Sequence, residues 1–302
     1  MRTLALMLIA FACSLIMQAE PVGPDITNVV EAYDAYQAEP DRKARKALMA
    51  ALTDYSGDPT SETVNAHMAV LGADTKAGKA KNMRESAVAT ADHLQPVADV
   101  LPQQYAEARY VAAIALFNWR QDDDAIIEMA HAQGLAQQAR ADPEAAWAKP
   151  LRYKADAWGM AMGAYFASAD KRHPSDEEVA AVLAEYGADT DSLNIAAASS
   201  EEAEDELRFC AGNLEMKPAM RYPAGGASRG MYGALILELT FDDEGNVQNP
   251  EVLASVPIEG FEEKSLRTVR KWHYKAAEGE RPGETCRLTR ENVVLPLVFQ
   301  LN

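Results

Sequence analysis

Gly233-Ala234-Leu235-Ile236-Leu237-Glu238-Leu239-Thr240-Phe241, followed at once by Asp242-Asp243-Glu244-Gly245-Asn246-Val247, is the stretch that decides how this chain is read. Side chains along a strand alternate between two faces, so Leu235, Leu237, Leu239 and Phe241 share one side and Ala234, Ile236, Glu238 and Thr240 the other. That contrast predicts a strand packed on one face. The polar residues after Phe241 predict a hairpin loop in which Gly245 takes the left-handed conformation, and Val247 to Ala254 is the returning strand. The period then becomes helical over 261–272, with Leu266, Val269 and Trp272 on one face. It returns to two in Val293, Leu295, Leu297, Phe299 and Leu301. Strand, hairpin, strand, helix and a long final strand pack one helix on a small antiparallel sheet of three strands.

Upstream the period is helical almost throughout residues 25–186. Ile26, Val29, Tyr33 and Tyr36 share a face, as do Ala44, Leu48, Ala51 or Leu52, and Tyr55, a stripe stopped by Gly57-Asp58-Pro59. Val64, Met68 and Leu71 predict a third helix ending at Gly72, and Met83, Ala87, Ala91 and Leu94 a fourth ending before Pro96, because a residue before proline is pushed out of the helical region. Tyr110, Ile114 and Phe117 carry a fifth. Asp122, Asp123 and Asp124 open a sixth, where carboxylates sit well against the positive end of the helix dipole. Leu151, Ala155, Trp158, Met162 and Phe166 form the stripe of a seventh helix, with Pro150 in its first turn. Ser175 with Glu178 is a capping box for an eighth, which ends at Gly187. Eight helices with short connections suggest helical hairpins and resemble the tetratricopeptide class of repeats, with a drifting period; an orthogonal bundle is the alternative. The expected fold class is α+β, and the expected division is a signal peptide over 1–19, a helical hairpin array over 20–200, an acidic linker over 201–217 and a strand-rich domain over 218–302.

The 302 residues carry 29 Lys plus Arg against 46 Asp plus Glu, a net charge of −17. At 48% apolar and 25% charged the composition excludes disorder and collagen, and the missing surplus of cations argues against nucleic acid as a partner. Nearly all of the negative charge falls on residues 20–217, since 218–302 carry 10 basic and 12 acidic side chains. Met1-Arg2, an apolar run from Leu4 to Met17 and Gln18-Ala19-Glu20 have the layout of a secretory signal cut after Ala19. A retained anchor and a lipoprotein cut before Cys13 are the competing readings; the apolar run is shorter than the ~20 residues a spanning helix needs. In an exported protein Cys210 and Cys286 would remain, and an oxidising compartment favours a bridge between them over two buried free thiols.

Chemistry-bearing motifs are sparse. The histidines, at 67, 93, 131, 173 and 273, show no HExxH or HxH spacing and read as helix-surface or helix-end residues. There is no GxSxG elbow, and the glycines at 225, 226, 230 and 233 form no phosphate cradle. No catalytic, cofactor-binding or metal-binding residue is assigned.

The C-terminal residues carry a resemblance. Tyr222-Pro223, Gly230-x-x-Gly233, Phe241-Asp242-Asp243-Glu244-Gly245-Asn246-Val247, Phe261, Val269-Arg270-Lys271-Trp272-His273-Tyr274-Lys275 and the closing Leu297-Val298-Phe299-Gln300-Leu301 resemble, in order, the TonB C-terminal domain. The resemblance implies a periplasmic module that pairs with an extended segment of a TonB-dependent outer-membrane transporter by adding a strand to a sheet edge. The final strand is the expected edge, with Val293, Val294, Leu295, Val298 and Gln300 as partner-binding residues; Pro296, lacking an N–H, is at home on an edge or bulge. Ala219 and Met220 stand where the family has Gln and Pro before Tyr222-Pro223, and a helical region replaces the family's Pro-rich spacer. Two functions follow as expectations: a TonB-like transport component, reaching an inner-membrane motor complex if the N-terminus is retained, or a soluble periplasmic adaptor without energy transfer.

Overall fold

The computed structural model describes residues 25–118, 120–169, 176–188, 207–220, 232–256 and 262–299. The expected signal segment, the run 201–206, and Ser175, Tyr222, Pro223, Gly230, Phe261, Gln300 and Leu301 lie outside these residues. The chain divides into two compact units, residues 1–58 and 59–302. The first holds α1 (Thr27–Ala38) and α2 (Arg42–Asp54), which pack together through Val29, Tyr36, Leu48 and Leu52. Asp41 caps α2, its carboxylate accepting from the Ala44 N–H at 2.7 Å.

The second unit begins with α3 (Ser61–Ala77), α4 (Ala80–Leu94), α5 (Pro102–Asn118) and α6 (Asp122–Ala139), each packed on the next. Ala87, Ala106, Ala108, Ala112 and Ala115 are fully buried between them; side chains this small let helices approach closely. α3 runs past Gly72, expected to end it, and stops at Gly78, whose φ of +65° is the left-handed C-cap that residue type supplies without strain.

Helices α7 (Ala148–Ala169) and α8 (Asp176–Glu185) part company. α8 rests on α6 through Leu183 and Ala130. α7 carries two stripes. Ala155, Met162 and Phe166, part of the stripe read from the sequence, pack on α5 and α6. Tyr153, Ala157 and Ala161, four residues apart and so on one helix face, pack instead on the strands that follow. A buried Arg152–Asp156 ion pair at 2.8 Å, joined by Gln133 of α6 at 3.1 Å, fixes the rotation of α7.

Those strands are β1 (Gly212–Glu215), β2 (Gly233–Phe241), β3 (Val247–Val256), β4 (His273–Ala276) and β5 (Arg290–Phe299), with α9 (Glu262–Val269) between β3 and β4. The antiparallel sheet runs β3-β2-β5, and a separate antiparallel ribbon pairs β1 with β4. This confirms the α+β class with a three-stranded sheet and a packed helix. Leu235, Leu237, Leu239 and Phe241 meet Val269, Trp272 and Phe299 on the α9 side. The other side is buried too: Ala234, Ile236, Ala254, Val256 and Val294 lie under α7. The expectation of one packed face is therefore corrected, because α7 supplies a second cover. The ribbon was also not anticipated. β4 is four residues long, too short to show a period, and β1 lies in the stretch read as linker.

Candidate functional site: the β5 edge and its groove

β2 is the central strand, so among the described residues β5 has no strand on its other side. Its register is set by Leu235↔Leu297, Ile236↔Pro296 and Leu237↔Leu295. In an antiparallel pair, alternate residues exchange both backbone bonds with the neighbour, and the residues between them direct N–H and C=O away. Proline has no N–H to exchange, so position 296 takes the outward orientation, and Val294 and Val298, two residues to either side, share it. Val298 is 42% exposed, one of the large apolar side chains that reach solvent among the described residues. Val294 is buried under α7. Val293 and Leu295 turn their backbone groups towards β2 and their side chains into the α9-side core. Of the expected contact residues, two thus offer outward backbone groups, two shape an apolar wall, and Gln300 lies outside the described residues.

Between Leu239 and Phe241 of β2 the register of β5 slips by a residue, Leu239 facing Val293 and Phe241 facing Arg290. Asn292, at φ +55°, absorbs the extra residue, which asparagine tolerates better than most residues. The bulge bends the start of β5 beside a groove of about 630 Å³. Val293 and Leu295 form one wall, Phe209 and Leu214 the other, with Phe241 and Tyr274 between. Phe209 and Tyr274 lie 4.6 Å apart by ring centroid, Phe241 and Tyr274 5.5 Å, and the Arg290 guanidinium sits 4.9 Å over the Phe209 ring.

The far wall is held by covalent and close backbone contact. Cys210 and Cys286 form the disulfide, with Cα atoms 4.9 Å apart and a sequence separation of 76. The Tyr274 hydroxyl donates to the Cys210 carbonyl at 3.0 Å, and burial pushes its pKa up, Arg290 opposing. β1 lies so close to β4 that a Cβ on Gly212 would meet the Lys275 carbonyl at 2.2 Å. Arg208 pairs with Glu280 through two bonds of 2.7 and 2.9 Å. Cys210, Glu280 and Cys286 are the one trio of potential metal ligands close together among the described residues, but both sulfurs are committed to the bridge.

Sequence reasoning missed Phe209, Leu214 and Tyr274 as groove residues, since the wall is made by a ribbon it did not predict. It also misplaced His67, which is 4% exposed rather than on a helix surface. His67 stacks on His93 at 4.5 Å, and each meets a threonine, Thr90 at 3.4 Å and Thr63 at 2.8 Å. Burial, then the neighbouring His93, drives the His67 pKa down to about 3.

No helix among the described residues is long and apolar enough to cross a membrane. Residues 218–291 match the family model for the Gram-negative bacterial TonB protein C-terminal, in the region where the residues carry that resemblance. No curated protein matches the chain.

Proposed function

We propose that the chain is an exported periplasmic protein that takes up an extended segment of an outer-membrane transporter along β5, as a TonB-like component of energy-coupled transport. The matched family is a transport-associated interaction domain, which gives the partner class. The observation that carries the proposal is an edge strand with outward backbone groups at Val294, Pro296 and Val298, running beside an apolar groove of about 630 Å³. An incoming strand gains backbone bonds from the edge and a surface for alternate side chains from the groove.

The test uses the full chain. A 218–302 fragment would lack β1, Cys210 and the α7 cover. Immobilised full-length protein is exposed to detergent-solubilised outer membranes, and bound proteins are identified by mass spectrometry. Transporters return with the unaltered chain and are lost with Val298→Pro, which removes an outward N–H while its melting temperature stays within a few degrees. If transporters are absent, or the substitution changes nothing, strand addition at β5 is wrong.

The packing of α7 on the sheet favours one second reading. An array fixed to the strand-rich part in this way suits an adaptor that holds two partners without transmitting energy. The mature N-terminus separates the two. A chain beginning at Glu20 has no inner-membrane anchor and supports the adaptor, whereas an intact Met1 in the inner membrane supports coupling to a motor complex.

A further inference from the structure

Alternate helices α3, α5 and α7 line a second groove of about 490 Å³, remote in sequence from the β5 edge. Its apolar lining comes from Met68 and Leu71 of α3, Tyr110 and Val111 of α5, Leu151 of α7 and Trp147 just before it. Leu71, Val111 and Leu151 are core residues, whereas Met68, Tyr110 and Trp147 are half-buried and present ring and thioether surface to the opening. This combination of a rigid apolar bed and partly open aromatic side chains, at this volume, suits a ligand side chain rather than a closed core.

Charge selects the occupant. Lys76 stands at the end of α3 and Lys154 on α7, both exposed, so the groove has an ammonium on each of its two outer helices. Neither makes an ion pair or hydrogen bond among the described contacts. Glu107 also lines the groove and is held by the Gln103 side chain at 2.9 Å. The chain as a whole carries −17, nearly all of it on the helical part. The lining thus holds two ammonium groups, neither paired with a carboxylate among the described residues, against the single carboxylate of Glu107, a positive surplus in a chain that is otherwise strongly acidic. Opposite potentials across an interface steer association and fix register.

We infer that this groove docks a peptide segment of a second protein that presents a large apolar side chain flanked by carboxylates. The apolar side chain enters between Trp147 and Met68, and the carboxylates meet Lys76 and Lys154. The chain then has two separate docking places: a strand-accepting edge at its end and an acidic-peptide groove in its helices.

The test is fluorescence anisotropy on the full-length oxidised protein with three labelled dodecapeptides that share the same Leu and Phe residues and differ only in spacers: Asp and Glu, Asn and Gln, or Lys. The acidic peptide binds saturably, the neutral one about tenfold more weakly or worse, and the basic one not measurably. Lys76→Glu with Lys154→Glu weakens the acidic peptide by at least about tenfold and removes most of its salt dependence, while Val298→Pro leaves it unchanged. Both lysines are exposed, so the double variant keeps the unaltered melting curve. Equal binding of all three peptides, no saturable binding of the acidic one, or indifference to charge reversal overturns the inference. Sensitivity to Val298→Pro would also overturn it, by moving the peptide to the other site.

Discussion

The two faces of the β3-β2-β5 sheet are built differently. The α9 face is filled by large side chains, Leu235, Leu237, Leu239, Phe241, Trp272 and Phe299, all from the C-terminal residues themselves. The α7 face is filled by smaller ones, Ala234, Ile236, Ala254 and Val256, against Tyr153, Ala157 and Ala161 from a helix more than seventy residues upstream. The first face can be completed from within the C-terminal segment, whereas the second cannot. What looks in sequence like a separate module is therefore joined to the helical array through an alanine-rich interface. The outer edge of β5 lies between these two faces, and its geometry depends on both.

The largest effect is expected on the self-contained face. Phe299→Ala removes a ring that is 5% exposed and should cost ~3–5 kcal/mol, read as loss of the C-terminal transition in a denaturant melt. Cys286→Ser should cost about 4 kcal/mol, because the bridge closes a loop of 76 residues in the unfolded chain; a chain that melts unchanged without it would mean the bridge does not form in solution. On the borrowed face, Ala157→Leu puts a branched side chain where none fits and should cost ~1–3 kcal/mol. A neutral outcome there would mean that α7 does not cover the sheet.

The smallest effect concerns neither face. His67 is neutral when folded, with its pKa lowered to about 3, against an ordinary value of 6.5. Above pH 6.5 both states are neutral and stability is complete. As pH falls below 6.5 the unfolded chain takes a proton that the folded chain refuses, so stability drops by about 1.4 kcal/mol by pH 5.5. Thermal melts across that range should show the decline, and His67→Gln should flatten it.

Periodicity made much of this legible. The helices of the array, β2, β3 and β5 follow from patterns of two and 3.6, the resemblance of 218–302 from motifs such as Phe241–Val247 and Val269–Lys275, and the Cys210–Cys286 pairing from compartment and count. What stayed hidden depends on contacts between distant residues. Tyr153, Ala157 and Ala161 form a second stripe on α7, but alanine is a weak apolar signal beside Leu151, Met162 and Phe166. Ala234 and Ile236 marked a second buried face, but Glu238 and Thr240 on the same side masked it. β1 and β4 are too short to show a period, so the groove wall of Phe209, Leu214 and Tyr274 could be found only in three dimensions.

The central claim is that β5 is the edge that accepts a strand, and its most direct test is site-specific photocrosslinking in living cells. A photoreactive phenylalanine at position 298, on the exposed outward-facing side of β5, should yield an adduct containing an outer-membrane transporter, mapped to an extended segment of that protein. The same probe at Lys264, on the exposed side of α9, should yield none. Adducts from Lys264 equal to those from Val298, or adducts from Val298 with soluble proteins alone, would contradict the account.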